Sequence, residues 1–194
     1  MRNQIIAAAI EEINEFGIKF TMSDLVKRLA ISKSTLYSRF PSKKELIGAI
    51  VDLLLENVQQ QRKEILNNNA LNTLDKVKAL LAIHPPVPIS NRFIADLKRY
   101  FPEEWEKGQQ NRVEVWKQIE TLITQGIEEG YFRSIDSNIL KIIYTATVTQ
   151  LLDYKNLVQN TVSINEAAEK MVDILFNGIA KRSYCERSYS RDKG

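Results

Sequence analysis

Residues 21–46 read TMSDLVKRLAISKSTLYSRFPSKKEL, and this stretch decides the fold. Thr21 precedes an apolar set, Met22, Leu25, Val26 and Leu29, spaced i, i+3, i+4 and i+7 along one helical face. Asp24, three residues after Thr21, supplies an acidic variant of the capping box. Ser32 is placed to cap a second helix, which carries Leu36 and Phe40 four apart. Pro41 then breaks the chain, and Ser42 offers a cap for a long helix beginning near Lys43. The spacing thus predicts two helices joined by a turn near Ala30-Ile31, the second only about nine residues long.

On that short helix Leu36 and Phe40 fall inward, while Lys33, Ser34, Thr35, Ser38 and Arg39 are left outside. Such a helix suits the DNA major groove. Small side chains at its start allow close approach to base edges, and Lys or Arg can bond guanine or phosphate.

Outward from this stretch the periodicity stays helical, with no sustained two-residue alternation. Ile6, Ile10, Ile13 and Phe16 share a face of a first helix that Gly17 is placed to stop. Residues 67–72 (NNNALN) form a polar break, and a helix is expected from about Thr73 to Ile83. The run His84-Pro85-Pro86-Val87-Pro88 is barred from helix, because proline removes donors and fixes φ. Ser90 restarts a helix to about Tyr100, and Pro102 opens a long one ending near Gly130. Asp136 begins another through about Tyr154, Ser163 caps a last one to about Lys181, and the tail 182–194 reads as frayed.

Composition narrows the function. Residues 1–48 hold eight Lys or Arg against five Asp or Glu, whereas the rest of the 194-residue chain is balanced. A basic head on a neutral body fits a nucleic-acid footprint. The single cysteine, Cys185, excludes an internal disulfide framework and fits a reducing, cytoplasmic setting. The opening MRNQIIAAAIEEINEF carries acids at helical spacing and is not a signal peptide, and no apolar run has membrane-spanning length. One histidine lies far from that one cysteine, and no phosphate loop, zinc-ligand spacing or nucleophile elbow occurs. No catalytic residue, metal or cofactor is therefore expected.

The positions Thr21, Leu25, Ser32, Thr35, Leu36, Tyr37, Phe40, Lys43 and Leu46 together resemble the N-terminal head of TetR-family regulators. That resemblance implies an all-α chain. A three-helix helix-turn-helix head (1–46) would precede a helical effector-binding and dimerisation domain (47–181) and the polar tail (182–194). It implies that Tyr37 and Lys43 contact phosphates, that Thr21 caps its helix against the backbone, and that Lys33, Ser34 and Thr35 lie nearest the bases. Arg39 would stand at the groove edge, with Ser32 and Ser38 on the same surface. The chain departs from the family at Ala30 and Ser34, where glycine is usual; a positive φ at Ala30 would carry strain of about 1 kcal/mol.

Phe93 to Phe101, Trp105 and GIEEGYFRSID (126–136) extend the resemblance into the body. Phe93, Leu97, Trp105, Trp116, Tyr144 and Thr147 are the candidates for an effector pocket. Helices near 137–154 and 163–180 are the candidates for a homodimer seam, which implies a palindromic double-stranded DNA operator. The competing reading is an adaptor of the same fold that binds a protein instead of DNA. It should have lost the small and basic outward residues of the second helix, which this chain keeps.

Overall fold

A computed structural model of the chain describes residues 1–85, 89–151 and 163–178. Among them every regular element is helical. The helices are α1 (Arg2–Phe16), α2 (Met22–Leu29), α3 (Lys33–Arg39), α4 (Lys43–Asn67), α5 (Thr73–Leu81), α6 (Asn91–Tyr100), α7 (Pro102–Glu128), α8 (Ser137–Leu151) and α9 (Ile164–Asn177), with a 3-10 turn at Gly17–Lys19.

Local chemistry sets most of the boundaries. The hydroxyl of Thr21 accepts from Asp24 N at 3.3 Å, and the Asp24 carboxylate accepts from Thr21 N at 2.7 Å, which completes the capping box. Ser32, Ser42, Asn72, Ser90 and Ser163 each cap the helix that follows by accepting the backbone N–H three residues on. Pro102 opens α7 at the position where a missing N–H costs nothing. At the far end of α7, the N–H groups of Tyr131 and Phe132 return to Gly126 O at 2.8 and 3.0 Å. Gly130, at φ 79°, makes that reversal possible.

The first three helices close over the N-terminal half of α4. Ile5, Ala9 and Ile13 of α1 meet Leu25, Leu36, Leu46, Ile47 and Ile50, all fully buried. The buried row of α1 therefore runs 5, 9, 13, and its next member is Gly17, itself buried. Phe16, expected on the inner face, is off that row and 51% exposed. Arg28 ties α2 to α1: its guanidinium reaches Glu12 at 2.5 Å, Glu15 at 2.6 Å and Glu11 at 3.2 Å. Hydrogen bonds to Glu12 and then Glu15 push the Arg28 pKa up.

This core does not stop with the head. Phe93 and Leu97 of α6 belong to the same cluster, so α6 packs against the underside of the first helices. Ser90 N donates to Asn14 Oδ1 at 2.9 Å, and Lys44 meets Glu103 at 2.7 Å across the same seam. A second core lies in the body, where Val77 and Leu80 of α5 pack on Trp116, Ile119 and Ile123 of α7 and on Met171 and Val172 of α9. Gly126 serves that core by size: a Cβ there would stand 2.4 Å from the ring of Phe132.

Several expected boundaries shift. α3 has seven residues, and α5 ends at Leu81 rather than Ile83. The expected extensions of α8 to Tyr154 and α9 to Lys181, the residues 86–88 of the proline run, Cys185 and the tail 182–194 lie outside the described residues.

Ala30 takes the left-handed conformation, φ 51° and ψ 38°, at the end of α2. Ala30→Gly is expected to raise stability by up to about 1 kcal/mol, the left-handed penalty of alanine less the extra chain entropy of glycine. Thermal melting of the variant checks this, and a lower midpoint would mean that the methyl contributes more than the strain costs.

Candidate nucleic-acid interface

The α3 helix is held from one side only. Leu36 is fully buried and Phe40 is 2% exposed, while Lys33, Ser34, Tyr37, Ser38 and Arg39 are exposed and Thr35 is half-buried. Ser32 begins the helix by accepting from Thr35 N at 3.0 Å, and its hydroxyl also meets that of Thr35 at 2.8 Å. Ser38 Oγ donates to Thr35 O at 2.9 Å and so keeps close to its own helix. Tyr37, 45% exposed, stands on the flank between the two buried residues.

Four of the five acids of the head are committed elsewhere. Glu11, Glu12 and Glu15 converge on Arg28. Asp24 is bound into the Thr21 cap, whose side-chain and then backbone hydrogen bonds hold its carboxyl below the usual range. Among the described residues Lys33 and Arg39 make no ion pair, so their charge is available to an incoming polyanion. The sequence balance of the head understated this.

Lys43 is placed differently from the other candidates. Its ammonium donates to the carbonyls of Ile18 and, at 2.5 Å, Phe20, and lies 4.4 Å from the Phe20 ring centroid. Burial pushes its pKa down. In this arrangement Lys43 clamps the loop between α1 and α2 onto the start of α4. Thr21, at the end of the same loop, spends its hydroxyl on the α2 cap.

A cavity of about 260 Å³ opens in the body between α4, α6, α7, α8 and α9. Of the six pocket candidates, Phe93, Leu97, Trp105 and Tyr144 line it. Trp116 and Thr147 lie outside its wall. Trp116, 3% exposed, sits one layer behind the wall in the second core, its ring stacked 5.7 Å from that of Tyr144. Thr147 lies off the lining row of α8, which is Tyr144, Val148 and Leu151, and its hydroxyl donates to Ile143 O at 2.7 Å. Sequence reasoning missed Arg112, Asn111, Glu104 and His84 in the wall. Arg112 was detectable, because it follows Trp105 by seven residues and so shares its helical face.

This is the architecture of a helix-turn-helix regulator with a hollow helical body. Residues 5–50 match the family model described as bacterial regulatory proteins, tetR family. The chain is 30% identical over 181 residues to the uncharacterized HTH-type transcriptional regulator YvaF of Bacillus subtilis (strain 168), covering 92% of this chain and 95% of that protein. The fold is similar to that of the TetR family regulator PfmR from Thermus thermophilus, with a TM-score of 0.68 at 20% identity, covering 92% of this chain and all of the other. It is equally similar, at 18% identity, to a transcriptional regulator from Saccharomonospora viridis in complex with choline, with coverage of 93% and 98%. The chain belongs to the TetR family of bacterial transcriptional regulators.

Proposed function

We propose that the protein is a cytoplasmic homodimeric repressor that binds a palindromic operator through α3 and is released by a small effector held in the body. The observation that carries the DNA half is the one-sided anchoring of α3, with Leu36 and Phe40 buried and the small, basic residues turned out. Lys33, Ser34 and Thr35 address the bases, Tyr37 the phosphates and Arg39 the groove edge. Ser32 and Thr21 keep the helix starts in place, and Lys43 secures the loop between them.

The dimer reading rests on α8, none of whose residues is buried. Leu140, Tyr144 and Val148 lean on the second core, whereas Ile139, Ile142 and Ile143 are 53, 60 and 46% exposed. Ile174 of the adjoining α9 is 53% exposed as well. An isoleucine stripe of this kind on two neighbouring helices fits a twofold pairing with a second copy. The release reading rests on Phe93 and Leu97, which line the cavity and also complete the core of the head. A ligand that displaces them moves the head, provided that it prefers the displaced state.

Fluorescence anisotropy on DNA enriched by in vitro selection, titrated across salt, tests the reading. Wild-type affinity should fall steeply with salt, and Lys33→Ala or Tyr37→Phe should weaken binding. Lys33→Ala should also lower the salt slope by about 1 for each phosphate that the lysine had neutralised. Lys43→Met should instead lower the melting temperature of the head. Failure to enrich any sequence, with weak binding indifferent to Lys33 and Tyr37, would sink the proposal in favour of a protein-binding adaptor.

A further inference from the structure

The cavity carries a charge that the described residues of its walls do not pair. Along α7 the residues Trp105, Gly108, Arg112 and Val115 face it in one row. Gly108 leaves open space, since a Cβ there would meet nothing within 4 Å. Arg112 is half-buried, its guanidinium 5.3 Å from the Trp105 ring centroid. Among the described residues it makes no ion pair and no hydrogen bond. Glu104, the carboxylate in the same wall, is bound to Lys107 at 2.8 Å. Tyr144 closes the other side, and its hydroxyl makes only a long bond of 3.4 Å to Leu81 O. Burial pushes the Arg112 pKa down, opposed by Tyr144, and burial pushes the Tyr144 phenol up.

A guanidinium removed from water is normally matched by an acid. Here the wall is mostly aromatic and aliphatic, with Asn111 and Asn165 as uncharged polar members, and a cation over a tryptophan face recovers only part of the lost hydration. The planar fork of arginine is suited to a carboxylate held by two parallel bonds. Tyr144 is near enough in the wall to add a third donor.

We infer that the cavity takes a small amphipathic carboxylate, its headgroup held by Arg112 and its apolar chain or ring lying between α4 and α6 among Leu54, Val58 and Phe93. This inference rests on reading the cavity as the effector site and goes further by fixing the sign of the ligand. It sets this chain apart from its choline-bound structural neighbour, whose ligand is a cation.

Calorimetric titration of the full-length protein with matched pairs tests it: octanoate against octanol, and 4-phenylbutyrate against 4-phenylbutanol. The acids should bind about 10- to 100-fold more tightly than the alcohols, the worth of a hydrogen bond to a charged group. Arg112→Gln should abolish that preference and leave alcohol binding unchanged, while Arg112→Lys should retain part of it. Gly108→Leu, which fills the open space, should remove binding of both members of each pair, with an unchanged melting curve reporting that the fold is intact. Equal affinity for acid and alcohol, or an acid preference that survives Arg112→Gln, overturns the anion assignment and leaves the cavity as an effector site. Failure of all four compounds to bind overturns both.

Discussion

Phe93→Ala is expected to lower unfolding stability by about 3–5 kcal/mol, the range for truncating a buried aromatic side chain. Phe93 is 1% exposed and belongs to the cluster that includes Ile5, Leu25, Leu36 and Ile50. It also forms part of the cavity wall, so its loss would enlarge an existing void rather than open a sealed one. The surroundings then have little to collapse onto, and the cost should sit toward the upper end. The conservative Phe93→Leu should cost less than about 1.5 kcal/mol. Urea unfolding followed by tryptophan fluorescence would measure both. A loss below about 1 kcal/mol for the alanine variant would show that α6 is not a packed part of the head. It would also remove the route by which a ligand in the body is proposed to reach α3.

The second large effect concerns association. Ile142→Lys should leave the protomer folded, since the side chain is 60% exposed and contributes little to either core. It should nevertheless abolish the proposed dimerisation, because a lysine on each copy would place like charges within the proposed apolar seam. Operator affinity should fall by about 10²–10⁴-fold, as binding of the second half-site ceases to be intramolecular. Sedimentation velocity and anisotropy on the same preparation would check the two results together. A variant that remains dimeric would exclude this face as the seam, and a monomer with undiminished affinity would exclude the twofold mode of binding.

The head was largely legible because its signals are local. Thr21, Asp24, Ser32 and Ser42 act on backbone groups three residues away, and Leu36 and Phe40 need only their own helix to define an inner side. The left-handed Ala30 was equally visible as a substituted turn position. What escaped notice depends on partners distant in sequence. Arg28 finds Glu12 across 16 residues, and Lys43 turns to carbonyls 25 and 23 residues behind it. Nothing in the spacing distinguishes that lysine from one aimed at a phosphate. The cavity was half legible for the same reason. Aromatic residues marked the right region, but which of them faces a void and which faces the core depends on how α7 and α8 are rotated against their neighbours. That rotation placed Trp116 in the core and Arg112 in the wall.

The membership of Phe93 and Leu97 in the N-terminal core bears on how the protein is made. On a ribosome the first four helices emerge before α6, and the side chains that finish their packing arrive roughly thirty residues later, a few seconds of synthesis at ordinary rates. Until then a newly made head lacks the α6 side chains that cover its underside. The core of the helix-turn-helix head is thus completed only once α6 of the body has been made.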